Sequence, residues 1–249
     1  MPRQKGSGWS LSRIPVLEIF GPTIQGEGAV IGRKTMFVRT AGCDYHCNWC
    51  DSAFTWDGSA KDEIKQMTPE EIWNELFELG GNCFDHVTIS GGNPALIAAI
   101  GELVNFLNEK GIKTALETQG SKWQEWMKNI DDLTLSPKPP SSGMEMNFEI
   151  LDSIVATLTE VGNASIKVVV FDDNDFEFAI KIQDRYRELP FYLQVGNDDI
   201  TTIDNDHLTK KLLQKYEWLI NKVMESPHMN DVRVLPQLHA LVWGNKRGV

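Results

Sequence analysis

Three cysteines fall within eight residues, Cys43, Cys47 and Cys50 in the run Ala-Gly-Cys-Asp-Tyr-His-Cys-Asn-Trp-Cys-Asp. A C-x3-C-x2-C loop of this size can wrap three corners of an iron–sulfur cube. Electron-transfer [4Fe–4S] sites take four cysteine ligands, and the remaining cysteine of the chain is far away at Cys83. The spacing therefore favours a cluster with one iron open to a further ligand, and an open iron is a place for chemistry. Two other readings stay open. His46 could complete a zinc site, although structural zinc sites pair C-x2-C with a second, distant pair of ligands. A disulfide framework needs an oxidising compartment and a small, cysteine-dense chain.

The loop must be held by a scaffold, and the rest of the chain reads as one. Short β-branched runs alternate with helical patterns: Lys34 to Thr40, His86 to Ser90, Ile112 to Glu117, Asp132 to Ser136, Ser165 to Phe171, Phe191 to Val195 and Val232 to Leu235 are the strand candidates. Thr68-Pro69-Glu70-Glu71 predicts a helix start with a capping box, Ile72, Trp73, Leu76 and Phe77 form its apolar face, and Gly80-Gly81 end it. Ala95 to Lys110 and Phe148 to Val161 repeat the pattern. Such alternation predicts an α/β fold of parallel strands with right-handed crossovers. Seven strand candidates are short of the eight that close a full barrel, so an incomplete (β/α) barrel is expected. Sites in such folds lie at the C-terminal ends of strands, here just after Thr40, Ser90, Glu117, Ser136 and Val195.

Composition bounds the rest. At 249 residues, 41% hydrophobic and 24% charged, the chain fits one domain over residues 1–249, with residues 1–15 a poorly ordered extension. Its longest apolar runs, Ala95 to Ile100 and Val168 to Phe171, are too short to span a bilayer, and the start has no apolar signal region, so a cytoplasmic protein without a membrane partner is expected. A net charge of −11 argues against nucleic acid as a partner and leaves a small molecule as the expected substrate. Cys83 precedes a strand and is expected to be a buried apolar thiol.

With Trp49 ahead of the last cysteine and Gly91-Gly92 after a strand, the chain resembles the radical S-adenosylmethionine (SAM) enzymes. The paired glycines alone would read as a turn. In that superfamily SAM chelates the open iron, and an electron from the cluster cleaves it to a 5′-deoxyadenosyl radical. The usual Glu after the glycines is Asn93 here, which leaves a neutral hydrogen bond in place of a charge-assisted one. Ile24-Gln25-Gly26-Glu27-Gly28, Phe37-Val38-Arg39, Gly42-Cys43, Cys50-Asp51-Ser52, Ser136-Pro137-Lys138, Gln194-Val195-Gly196-Asn197 and the C-terminal residues together resemble the 7-carboxy-7-deazaguanine synthases, the Bacillus type, from about Val16 to Val249.

That resemblance implies contraction of 6-carboxy-5,6,7,8-tetrahydropterin to 7-carboxy-7-deazaguanine with loss of ammonia, in queuosine and 7-deazapurine biosynthesis, with SAM used catalytically. It implies a [4Fe–4S] cluster on Cys43, Cys47 and Cys50, SAM contacts at Trp49, Asp51, Gly92, Ser136, Pro137, Lys138, Gln194, Val195, Gly196 and Asn197, and Mg²⁺ at Ser52. Substrate contacts map to Ile24, Gln25, Gly26, Arg39, Ser90 and Val249, the last through a terminal carboxylate that a C-terminal tag would disturb. Arg39 would meet the substrate carboxylate with its planar fork. A flavodoxin or ferredoxin would donate electrons, and a homodimer is implied. Read without the family, Ser52 is a turn hydroxyl, Arg39 a surface ion pair, the prolines after Ser136 a rigid loop and Lys138 a solvated charge. Glu117 could accept from the amino-pyrimidinone edge of a pterin or simply cap a helix. Two rivals remain: a glycyl-radical-enzyme activating enzyme, which would need a peptide groove, and a non-enzymatic Fe–S electron carrier or zinc-stabilised binding module.

Overall fold

The computed structural model describes residues 12–249. In chain order the elements are β1 (Ile14–Ile24), β2 (Lys34–Thr40), β3 (Lys65–Met67), α1 (Pro69–Gly80), β4 (His86–Gly91), α2 (Ile100–Glu109), β5 (Lys113–Thr118), β6 (Asp132–Leu135), α3 (Phe148–Val161), β7 (Ala164–Val170), α4 (Asp173–Arg185), β8 (Phe191–Val195), α5 (Asn205–Glu225), β9 (Val232–Leu235) and α6 (Leu238–Trp243). The strands form one sheet in the order β3-β1-β2-β4-β5-β6-β7-β8-β9. From β2 to β9 every pair is parallel, and β3 and β9 remain as separate edges, so the barrel is incomplete.

Alternation along the strands separates two faces. Met36 and Val38 of β2, Val87 and Ile89 of β4, and Ile166, Val168 and Val170 of β7 are buried in the main core, together with Ile72 and Leu76 of α1 and Leu103 and Leu107 of α2. Phe37, Arg39, Ser90, Glu117, Lys167 and Val169 line a cavity instead. A polar inner face is thus built into strands whose other face is apolar. The helix start at Thr68 carries the expected capping box: Thr68 Oγ1 accepts from the Glu71 N–H, and the Glu71 carboxylate accepts from the Thr68 N–H.

Four features differ from the sequence expectation. Strand β1 is absent from the strand candidates; its Pro15, Gly21 and Pro22 oppose strand propensity and are tolerated near the sheet edge, with register shifts between Val16 and Glu18 and between Phe20 and Thr23. Ile14 and Pro15, expected in a poorly ordered extension, instead pair with Met67 and Gln66, and residues 1–11 lie outside the described residues. The helix expected from Ala95 is interrupted: Asn93 caps a short 3₁₀ turn at Pro94–Leu96, and α2 begins at Ile100. Cys83 is exposed, because the slot between α1 and the sheet is filled by Phe84, packed on Trp73. No helix among the described residues is long and apolar enough to cross a membrane.

His86 opens β4 inside the core, with Nδ1 2.8 Å from Thr35 Oγ1 and Nε2 unpartnered. Burial, aided by the positive charge of Arg33, pulls its pKa from the ordinary 6.5 down to about 4. The unfolded chain therefore binds a proton near pH 6.5 that the folded chain takes up only near pH 4. Stability is complete above this window and is lost as pH falls through it. Urea unfolding across pH 7 to 4 is expected to show this slope, and His86→Gln should flatten it; an unchanged slope would remove His86 as its source.

Candidate active site

The cysteine loop leaves β2 at the C-terminal rim. Close contact with the end of β4 shapes its start: the Gly92 N–H donates to the Thr40 carbonyl at 3.2 Å and the Asn93 N–H to the Gly42 carbonyl at 2.7 Å. A Cβ on Gly91 would sit 2.2 Å from the Thr40 carbonyl oxygen, and one on Gly92 would sit 2.1 Å from that of Gly42. The glycine pair is needed first for this backbone-on-backbone approach. Both glycines also line the cavity.

Asn93 does not line it. Its Nδ2 donates to Asp44 Oδ1 and Ser121 Oγ, each at 2.9 Å, and its Oδ1 accepts from Thr118 Oγ1 at 2.7 Å and the Ala95 N–H at 3.2 Å. With its amide fully used, Asn93 supports Asp44 of the cysteine loop. Gln119 Nε2 reaches the same Asp44 oxygen at 2.5 Å and Cys43 Sγ at 3.7 Å.

Cys43, Cys47 and Cys50 all line the cavity, while Cys83 lies before β4, at the other end of the parallel sheet. Burial raises the pKa of all three thiols, that of Cys47 to about 11. They are therefore neutral thiols unless a cation draws off their protons, which an iron–sulfur cluster does. The Tyr45 N–H donates to Cys43 Sγ at 3.4 Å and Trp56 Nε1 to Cys50 Sγ at 3.5 Å. Such donors tune a cluster's potential. His46 packs on the Trp56 ring at 4.7 Å and is not among the lining residues, so the zinc alternative loses its fourth ligand. This donor set fits a three-cysteine cluster.

Trp49 is held from the far side of the rim. Its Nε1 donates to Ser141 Oγ at 2.9 Å, and its ring meets Phe171 at 4.8 Å. Buried Asp175 of α4 accepts from the N–H groups of Ser141 and Phe171, both at 3.0 Å, and so ties these partners together. Nothing in the sequence marked Asp175, since an acidic residue in a first helical turn reads as a dipole partner. Ser136 and Lys138 line the cavity, with Lys138 Nζ 3.3 Å from Ser136 Oγ, and Pro137 is buried behind them.

Of the stretch from Gln194 to Asn197, only Asn197 is in the lining. Val195 belongs to the core, and Gly196 makes room for Phe171, whose ring lies 2.2 Å from where a Cβ would be. Gln194 pairs in register with Val169, which lines the cavity. Its amide is fully buried with neither atom bonded, as expected of a group that waits for a ligand or bound water.

The floor is charged. Lys167 Nζ, buried in β7, donates to Glu27 Oε2 at 2.5 Å and to both Glu117 oxygens at 3.1 and 3.2 Å. Burial opposes both charges of the Glu27–Lys167 pair, but their attraction wins: Glu27 is held far below the usual carboxylate range and Lys167 above the usual amine range. Gln237 Nε2 donates to Glu27 Oε1 at 3.1 Å. This triad escaped sequence reasoning because its members are 140 and 50 residues apart.

Strand β1 runs antiparallel to β2, so the loop after it starts beside Lys34, at the end of β2 remote from the cysteines. Ile24, Gln25, Gly26 and Glu27 nevertheless line the same cavity. The cavity therefore reaches from the rim into the concave face of the sheet. Gly26 accepts the Leu238 N–H at 3.0 Å, and a Cβ there would meet His239 Nδ1 at 2.3 Å. The loop and the start of α6 close on each other through that glycine.

Arg39 lines the cavity and is also ion-paired: Nε donates to Glu18 at 2.6 Å and one terminal amino group to Ser52 Oγ at 3.0 Å. Ser52 Oγ donates in turn to Asp51 Oδ1 at 2.7 Å. Asp51, Glu27 and His239 offer ligand atoms within 4.8 Å of one another. Asp51 thus links Ser52 Oγ, itself held by Arg39, to this group, whose carboxylate oxygens are hard donors of the kind Mg²⁺ takes. Ser90 and Val249 complete the lining residues expected from the sequence.

Residues 37–170 match the Radical SAM superfamily. The chain is 66% identical over 239 residues to 7-carboxy-7-deazaguanine synthase of Bacillus cereus, covering 96% of this chain and 100% of the relative. It is 62% identical to the relative of the same name from Bacillus subtilis, covering 95% and 98%. Among solved structures, QueE from Escherichia coli has a TM-score of 0.65 over 91% of this chain and 95% of that one at 23% identity, which speaks to the fold. Streptococcus suis SuiB bound to precursor peptide SuiA has a TM-score of 0.57 at 16% identity, covering 83% of this chain and 49% of that one. Identity at this level over nearly the whole chain, joined to a cavity that gathers the three cysteines, means that the chain belongs to the 7-carboxy-7-deazaguanine synthase family of the Radical SAM superfamily.

Proposed function

We propose that residues 1–249 form one radical SAM domain that converts 6-carboxy-5,6,7,8-tetrahydropterin to 7-carboxy-7-deazaguanine with loss of ammonia. The observation that carries the reading is a single cavity of about 290 Å³ with three cluster thiols in one wall, Arg39 in another and a buried carboxylate–ammonium triad at its floor. That combination suits a small anionic heterocycle with a polar edge. A bound [4Fe–4S] cluster on Cys43, Cys47 and Cys50, with SAM, supplies the one-electron chemistry that starts hydrogen abstraction.

The protein's own groups bind, orient and shield. With Nε on Glu18 and one amino group on Ser52, Arg39 meets the substrate carboxylate through its remaining amino group rather than through the two-pronged fork expected from the sequence, and Ser52 beside it supplies a protein oxygen to Mg²⁺. Glu117 accepts N–H donors from the amino-pyrimidinone edge, held in place by Lys167. Ile24, Gln25, Gly26, Ser90 and Val249 surround the substrate. Trp49, Asp51, Gly92, Ser136, Lys138 and Asn197 face SAM, with Pro137, Val195 and Gly196 shaping the wall and Gln194 offering its free amide. A flavodoxin or ferredoxin supplies electrons, and the protein works as a cytoplasmic homodimer.

The test is anaerobic incubation of reconstituted, untagged protein with SAM, a strong reductant, Mg²⁺ and the carboxypterin, followed by mass spectrometry. Formation of 7-carboxy-7-deazaguanine without matching SAM consumption is expected. SAM cleavage with the pterin untouched would overturn the substrate assignment and favour the activating-enzyme reading.

A further inference from the structure

One carboxylate holds two arginines that line the cavity, Arg39 and Arg247. Glu18 Oε1 accepts from Arg39 Nε at 2.6 Å, and its Oε2 accepts from Arg247 Nε at 2.7 Å. Arg247 also donates to Glu63 at 2.9 Å. Both guanidinium groups meet the same ring, Arg247 at 4.1 Å from the centre of Phe54 and Arg39 at 5.6 Å. Two cations around one aromatic ring repel unless a carboxylate bridges them, and Glu18 does. With Glu18 on its Nε and Ser52 on one amino group, Arg39 keeps the other amino group free of protein hydrogen bonds among the described residues.

Arg247 belongs to the segment 244–249, which lines the cavity. A second anchor lies two residues earlier. Asn245 Oδ1 accepts from Asn197 Nδ2 at 2.9 Å, and Asn245 Nδ2 donates to the carbonyls of Asp199 and Thr202 at 2.8 and 3.0 Å. Asn197 follows β8 and Glu18 lies in β1, strands on opposite sides of β2, β4, β5, β6 and β7 in the sheet order. The segment therefore straps one side of the open sheet to the other.

We propose that Arg247 latches the segment 244–249 across the cavity, and that Glu18 is a positioning residue that couples this latch to the orientation of Arg39. Where the substrate is concerned, the inference rests on the reading that Arg39 meets the carboxylate of the pterin. Substrate that draws on Arg39 would then be sensed at the strap through one shared carboxylate.

The experiment is hydrogen exchange by mass spectrometry on the full-length protein, with Arg247→Gln, Glu18→Gln, the double variant and Arg247→Lys, alongside kinetics with the carboxypterin. In both single variants the amides of 244–249 are expected to exchange at least about tenfold faster, as a segment freed from its anchor does. KM should rise roughly tenfold, the scale of one charge-assisted contact, with kcat within about threefold. The double variant should be little worse than Glu18→Gln, because both changes remove one coupled contact. Arg247→Lys should restore part of the protection by keeping the charge. Unchanged exchange in both single variants would overturn the latch, and loosened exchange with unchanged KM would overturn its coupling to Arg39. If the wild type neither binds nor converts the carboxypterin while both variants loosen the segment, the substrate reading fails and the latch stands.

Discussion

Replacing Cys47 with Ala is expected to abolish the chromophore of a reconstituted iron–sulfur cluster and to lower SAM cleavage by at least about 10³-fold, because the cofactor carries the difficult step and the protein offers no substitute for it. Cys43→Ala and Cys50→Ala should do the same. The three thiols share one cavity and no fourth cysteine is near, since Cys83 lies at the opposite end of the sheet. A cluster reduced to two protein ligands has two exposed irons and is lost. Cys83→Ala is the matched control, with cluster content and turnover at wild-type levels. Iron quantitation, visible absorbance and low-temperature EPR of each reduced variant make the comparison. A Cys47→Ala protein that retains a full cluster with SAM-sensitive EPR would contradict the assignment.

The second large effect is expected at Lys167. Lys167→Met leaves Glu27 and Glu117 facing each other without their shared cation. Removing one partner from a buried ion pair costs about 3–5 kcal/mol, so urea unfolding at pH 7 should show a loss of that size. Turnover of the carboxypterin should fall by at least about 100-fold, because Glu117, proposed above to meet the pterin edge, is no longer held by Lys167. The pH dependence distinguishes this cause from a packing defect. Without Lys167, burial and mutual repulsion raise a carboxylate pKa in the folded state above its unfolded value, so the folded variant binds the extra proton. Its stability should therefore recover as pH falls from 7 toward 5. Lys167→Met combined with Glu27→Gln should regain stability at pH 7 without regaining turnover. A stability deficit that does not change with pH would indicate packing as the cause.

Much of the site could be read from local sequence because it depends on local spacing. A C-x3-C-x2-C loop closes on itself within eight residues, and the glycines after β4 are required wherever two backbones press together. The capping box at Thr68 and the parallel strands from β2 to β9 follow in the same way from short-range preference and alternation. In strand β1 the glycine and prolines oppose strand propensity, and pairing with β2 and β3 overrides that preference. Asn93, expected at the ligand, is occupied by Asp44, Ser121, Thr118 and Ala95, partners that are joined only when three loops meet.

Local spacing was enough to bring three thiols together, with room for a fourth ligand, on a strand–helix scaffold that places them at the C-terminal rim. The charge contacts around those thiols come from the tertiary fold. Lys167 between Glu27 and Glu117, Asp175 beneath Trp49, and Glu18 between Arg39 and Arg247 are charge contacts between residues distant in sequence. A buried charge is stable only when its partner is brought to it, and that partner is chosen by the folding of the sheet into an open barrel rather than by any spacing along the chain.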